Sequence, residues 1–221
     1  MVGNVAIDGP AGAGKSTVSK LLADKLGYLY VDTGAMYRAL TWKVMNQKIA
    51  MDDESEIARM AELTDIDLKY DARRALQVFC DGQEVTSEIR QQAVSKNVSR
   101  VARIAAVRHH MVNLQRRMAD KQPVVMDGRD IGSYVLPHAQ HKFFLTASIE
   151  ERARRRCQQL DEQNIPFVGE EVKKEIEDRD EMDRSREIAP LIKAPDAILL
   201  DTSCQTVEEV IDEVLKVIRG E

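Results

Sequence analysis

The chain has 221 residues, 43% of them apolar and 31% charged, enough for one cored domain with at most a small insertion. Aromatic residues at 5% argue against an aromatic nucleic-acid platform, and the net charge of −5 argues against non-specific binding to nucleic acid. No apolar run approaches the ~18 residues that a membrane helix needs, and the cysteines (Cys80, Cys157, Cys204) are too few and scattered for a disulfide framework or a C-x-x-C metal site. The N-terminal apolar run has no basic lead-in and no cleavage site. The expectation is a soluble, reduced, cytoplasmic protein without membrane or nucleic-acid partners. The arginines are unevenly spread: 13 of the 19 lie between Arg100 and Arg186, four of them within Arg152–Arg156. A locally cationic region in an acidic chain suggests a small polyanionic ligand.

In chain order, Val2 to Asp8 reads as a short strand. A glycine-rich turn follows, then a helix from Lys15 to Leu26, on which Val18, Leu21, Leu22 and Leu26 recur at helical spacing and which Gly27 stops. Tyr28 to Val31 reads as the next strand. Between Ile66 and Thr86 the pattern changes to alternation: Ile66–Tyr70, a polar turn at Asp71-Ala72-Arg73, Ala75–Phe79, the pair Asp81-Gly82, and Gln83–Thr86. Alternation around a D-G pair predicts a small antiparallel insertion. Further strands are expected at Val124–Met126, Phe143–Leu145 and Ala197–Leu200, separated by helical patterns over Val94–Asp120, Ile149–Gln163, Glu170–Arg184 and Val207–Arg219. Unbroken apolar strands alternating with helices predict an α/β fold with a five-stranded parallel sheet flanked by helices. Met36, Met45, Met60 and Met111 read as core fillers, the cysteines as small buried side chains, and His109 and His110 as surface residues.

Gly9-Pro10-Ala11-Gly12-Ala13-Gly14-Lys15-Ser16 fits G-x-x-x-x-G-K-S/T between a strand and a helix, the context in which that motif binds nucleoside triphosphate. Its glycines let backbone N–H groups curl around phosphate oxygens, and the helix N-terminus adds positive potential. Lys15 can reach the β- and γ-phosphates, and the Ser16 hydroxyl can ligate Mg²⁺. In the next strand-to-helix turn, Asp32-Thr33-Gly34-Ala35-Met36-Tyr37-Arg38, Thr33 can cap the helix and Arg38 can meet a second phosphate. Asp127-Gly128-Arg129-Asp130 ends a strand at the sheet edge where open α/β folds place ligands. Asp127 is placed to orient Mg²⁺ directly or through water, Arg129 to hold phosphate, and Asp130 to accept from an amino group or to pair with Arg129. Arg152 and Arg156 share one helix face with Arg155 beside it, and Arg179, Asp180, Asp183, Arg184 and Arg186 line a second helix end. Joined by a Pro/Gly turn, these helices describe a lid that adds charge and excludes water. Glu150, Glu151, Glu177 and Glu181 are available as partners for these arginines on plain solvated faces.

The motifs Asp8 to Thr17, Asp32 to Arg38, Asp127-Gly128-Arg129-Asp130-Ile131-Gly132 and the stretch from Arg179 to Ala189-Pro190-Leu191 resemble those of the bacterial cytidylate kinases, a family of nucleoside monophosphate kinases. The resemblance implies a single P-loop kinase domain over residues 1–221, with a monophosphate-binding insertion at 36–98 (hairpin about 66–86) and a lid at 154–170. It implies transfer of the ATP γ-phosphoryl to CMP or dCMP with Mg²⁺, by a monomer. It further implies that Gly9 to Thr17, Arg152 and Arg156 meet ATP, and that Thr33, Arg38, Arg129 and Arg186 contact the CMP phosphate. Ser99, Arg108 and Asp130 would read the cytosine edge, with Arg179 and Asp183 near the sugar, and Lys15, Arg129, Arg156, Arg179 and Arg186 would carry catalysis. The residues alone leave two other readings open: a P-loop kinase for UMP or a small metabolite, and a non-catalytic nucleotide switch.

Overall fold

The computed structural model describes residues 3–71 and 75–221, so Val2 of the first expected strand and Ala72 and Arg73 of the expected turn lie outside the described residues. The chain divides into two compact units, one from Met1–Tyr30 and Met118–Glu221 and the other from Val31–Arg117.

The first unit begins with β1 (Val5–Asp8), the P-loop, α1 (Lys15–Leu26) and the start of β2 (Leu29–Asp32). In the second unit come α2 (Thr33–Asn46), α3 (Glu54–Glu62), β3 (Ile66–Tyr70), β4 (Leu76–Cys80), β5 (Gln83–Glu84), a one-turn 3-10 helix at Glu88–Arg90 and α4 (Gln92–Ala102). Helix α5 (Ala105–Lys121) leads back to β6 (Val124–Asp127), a π-helical turn at Ile131–Val135, β7 (His141–Thr146), α6 (Ile149–Glu162), α7 (Gly169–Arg184), β8 (Ile198–Asp201) and α8 (Val207–Arg219).

The sheet of the first unit has five strands in the order β2-β6-β1-β7-β8, and β1 pairs in parallel with both β6 and β7. The continuous apolar runs of β1 and β6 are wholly buried, as unalternating strands of a covered parallel sheet should be. Strand β8 departs from that pattern. It is the last strand in the order, and Ile198 and Leu199 are exposed on it. Ile7 lies opposite Asp127 and Asp8 opposite Phe144, so the strand-ending carboxylates of β1 and β6 share the carboxyl edge. Helix α8 buries Val210, Ile211, Val214, Leu215 and Ile218 behind a capping box of Thr206 and Glu209.

In the second unit the three strands form an antiparallel sheet in the order β3-β4-β5. Asp81 (φ 50°) and Gly82 (φ 78°) make the two-residue connection from β4 to β5, the turn that the D-G pair predicts. The long helix expected over Val94–Asp120 is interrupted: α4 stops at Ala102 and α5 starts at Ala105. No glycine or proline marks the break. Instead the Arg108 guanidinium donates to the Ala102 carbonyl at 3.3 Å, satisfying an acceptor of the terminated helix.

Met36 and Met111 are buried core fillers, whereas Met45 and Met60 are only half-buried. Of the cysteines only Cys80 is buried; Cys157 is intermediate and Cys204 exposed, because α6 and the loop after β8 turn them outward. His109 is exposed and His110 half-buried, while Leu21 faces solvent despite its helical spacing.

Gly9 is the tightest point at the sheet edge. Its φ is 145°, and a Cβ there would stand 2.0 Å from the Leu145 carbonyl oxygen of β7. Gly9→Ala therefore combines backbone strain with a clash against backbone, and should lower the unfolding free energy by about 3 kcal/mol or more in urea titrations.

Candidate active site

Within the first unit the P-loop runs from the end of β1 into α1, which begins at Gly14 in the left-handed conformation with no side-chain cap. A helix start held by glycine presents its amides and dipole to an anion. Lys15 is 6% exposed and folds back over the loop, donating to the Pro10 carbonyl at 2.7 Å. Burial pushes its amine down to about 7, the neighbouring Arg129 and Arg179 guanidiniums push the same way, and Asp127 and Asp8 oppose them. An ammonium depressed by burial and by like charges marks a place prepared for a polyanion.

Ser16 Oγ donates to Asp127 Oδ2 at 2.9 Å, and the Tyr30 hydroxyl donates to Asp127 Oδ1 at 3.0 Å. A hydroxyl and a buried carboxylate in contact beside a phosphate loop are the hard oxygen donors that Mg²⁺ takes. Sequence reasoning missed Tyr30, whose place inside β2 carries no motif.

The arginines expected here have definite partners. Arg129 Nε donates to Asp183 Oδ2 at 2.8 Å, and Arg186 pairs with the other oxygen of the same carboxylate. Asp183, not the adjacent Asp130, is thus the counter-ion of Arg129. Burial alone would raise the Asp183 carboxyl, but Arg129, Arg186 and Arg179 hold it below the ordinary carboxylate range. Asp130 is buried, and its carbonyl accepts from the Tyr134 and Val135 amides as the π-helical turn begins. Arg152, expected against ATP, is 7% exposed and turned inward to the Ala147 and Ala11 carbonyls and to Asp180. Arg156 is half-buried on the same helix and donates to Gln159 at 2.6 Å. Arg154 and Arg155 pair with Glu151, and Arg155 also reaches Thr202. Arg154 is therefore a solvated-face residue. Glu150 pairs with Lys173 rather than with an arginine.

In the second unit the helix cap is Asp32, not Thr33: its carboxylate accepts from the Ala35 amide at 2.7 Å and pairs with Arg38 at 3.3 Å. Thr33 is buried at the first position of α2. Ser99 is buried on α4, and Arg108 is 1% exposed with its guanidinium 5.5 Å from the centre of the Tyr37 ring.

Sequence reasoning also missed Asp8 as a site residue. Its carboxylate accepts from the Ile131 and Gly132 amides, both at 2.7 Å, and so ties the end of β1 to the segment carrying Arg129 and Asp130.

A glycine loop at a helix start, a lysine folded over it, a serine–carboxylate pair and an inward-facing arginine set define a P-loop kinase. Comparison with known proteins narrows that class. The cytidylate kinase family model matches residues 5–220. A cytidylate kinase of Desulfitobacterium hafniense (strain Y51) is 52% identical over 96% of this chain and 90% of its own length. That of Geobacillus sp. (strain WCH70) is 50% identical over 97% of this chain and 95% of its own. The chain belongs to the cytidylate kinase family. An uncharacterized protein from Eubacterium ventriosum, 12% identical with a TM-score of 0.56 and full coverage of both chains, shares the fold.

Burial pushes Asp8 up to about 7 from an ordinary 3.8; nearby Asp130 adds to the rise, while the two amides and Lys15 oppose it. Its contribution to stability is therefore fully present below about pH 4 and is lost as pH rises through 7. In thermal unfolding from pH 4 to 8, the stability of the wild type relative to Asp8→Asn should fall with rising pH, by up to about 4 kcal/mol, and level off above 7. A pH-independent difference would remove Asp8 as its origin.

Proposed function

We propose that the protein transfers the γ-phosphoryl of ATP to CMP or dCMP, giving ADP and CDP or dCDP. The observation that carries this reading is a buried Lys15 folded over the P-loop beside the Ser16–Asp127 pair, with the Arg129 and Arg179 guanidiniums adding to the lowering that burial imposes on its amine. Such like-charge crowding is costly in a buried site unless an anion with several phosphates relieves it. A nucleotide switch needs only the P-loop; a second phosphate explains the further arginines.

Gly9 to Thr17 are assigned to ATP, with Arg156 over its phosphates. Ser16 and Asp127 would hold Mg²⁺, which when bound offsets phosphate charge. Thr33, Arg38, Arg129 and Arg186 are assigned to the CMP phosphate, Ser99, Arg108 and Asp130 to the cytosine edge, and Arg179 and Asp183 to the sugar. Residues 36–98 then serve as the monophosphate-binding segment and 154–170 as the lid. The attacking oxygen belongs to a phosphate that is already ionised, so no side chain must act as general base. What remains for the protein is in-line positioning and neutralisation of the charge on the transferring group by Lys15, Arg129, Arg156, Arg179 and Arg186. We assign the working form as a cytoplasmic monomer, and the acidic net charge supports small nucleotides over nucleic acid as partners.

ADP release from ATP and Mg²⁺ should be stimulated strongly by CMP and dCMP and stay near background with AMP or GMP. A UMP rate above that of CMP would favour the uridylate reading, and equal slow rates without acceptor would leave a hydrolase or switch. Lys15→Met and Arg129→Met should each lose about 3–4 kcal/mol of transition-state stabilisation, roughly a few hundredfold in kcat/KM.

A further inference from the structure

Ala11 of the P-loop packs into the α6–α7 hairpin. Its methyl group joins a buried cluster with Ala153 and Leu160 of α6 and Val172 and Ile176 of α7. Its N–H donates to Asp180 Oδ1 and its carbonyl accepts from Arg152 Nη1, both at 3.0 Å. Arg152 and Asp180 are paired with each other, and Arg152 Nε also donates to the Ala147 carbonyl at 3.1 Å. Both side chains are buried, Asp180 to 1% exposure.

This geometry does two things. It turns the Ala11 amide toward a carboxylate, leaving the phosphate cradle to the amides beyond it. It also fixes α7 against the loop at one residue: Arg179 precedes Asp180 directly, and Asp183, the counter-ion of Arg129 and Arg186, follows one turn later. A bare carboxylate in this position would repel the nucleotide; paired with Arg152 it contributes almost no net charge.

We propose that Arg152 and Asp180 form a clamp on Ala11 that sets the stance of α7 relative to the P-loop, so that both are positioning residues and Arg152 is not an ATP contact. The proposal rests on the kinase reading above. Misplacing a catalytic arginine by an ångström costs on the order of a hundredfold in rate without loss of nucleotide binding.

The test uses the full chain and separates rate from affinity. For wild type, Asp180→Asn, Arg152→Met and the Asp180→Asn/Arg152→Met double variant, kcat with CMP is compared with the dissociation constant of ATP measured without acceptor. The clamp predicts that each single substitution lowers kcat by roughly tenfold or more while ATP affinity stays within about threefold, and that the double variant is no slower than the worse single one. An ATP affinity lowered tenfold or more by Arg152→Met, in the wild-type and in the Asp180→Asn background alike, would make Arg152 an ATP contact and overturn the proposal. Wild-type kcat with a lowered Tm would reduce the pair to a structural bridge, and also overturn it.

Each single variant leaves a buried partner unmatched and can fail to fold. Arg152→Met/Asp180→Leu replaces the pair with apolar side chains, and should fold, bind ATP and turn over slowly. Wild-type kcat in that variant is equally decisive against the clamp. If the wild type itself shows no CMP-stimulated ADP release, the kinase reading has failed and the positioning role falls with it; ATP affinity in the folded Arg152→Met/Asp180→Leu variant then decides only whether Arg152 is an ATP contact, unchanged affinity showing that it is not and lost affinity that it is.

Discussion

Cations of like sign repel one another, and the first unit gathers the buried Lys15 and the half-buried Arg129, Arg179 and Arg186 only because carboxylates are distributed among them. Asp183 takes Arg129 and Arg186, and Asp127 offsets part of the charge around Lys15. Lys15 lies well below its ordinary range, chiefly because it is buried and further because Arg129 and Arg179 are near, so a bound anion would stabilise its charged form. Anion binding is then a release of electrostatic crowding, and the direction of that release follows from where the carboxylates stop.

The carboxylates also do mechanical work. Asp8 joins β1 to the Arg129 segment through two backbone amides, and Asp183 joins that segment to α7 and to Arg186. Each link is made to backbone or in a paired geometry, which holds a side chain to a narrower range of positions than a single exposed ion pair does. Positioning on this scale is what an in-line transfer without a general base requires.

The strands, the P-loop and the D-G turn were legible in the sequence because each depends on neighbours in the chain: apolar runs, a glycine count, two residues that tolerate positive φ. The break between α4 and α5 was not, since it is satisfied by the Arg108 side chain and has no helix-breaking residue. Helix α3 was unmarked for a similar reason, being a short run between polar segments. Arg129 could be read as a phosphate ligand from its strand-end position, but not its choice of Asp183, 54 residues away, over the adjacent Asp130. The bond from Ala11 to Asp180 spans 169 residues. Sequence proximity also misdirected the cap of α2, where the carboxylate of Asp32 reaches the Ala35 amide and the Thr33 side chain is buried instead.

Strand β8 has a separate significance. It closes the order of the five-stranded sheet and leaves Ile198 and Leu199 in solvent. A terminal strand of aliphatic residues is a template for intermolecular pairing, and proteins suppress that by keeping such strands short and flanking them with proline or charge. Here the strand is four residues long, Pro195 precedes it and Asp201 ends it. Those flanking residues act as gatekeepers against aggregation, and lengthening the strand or neutralising Asp201 would convert the sheet's last edge into a site of self-association.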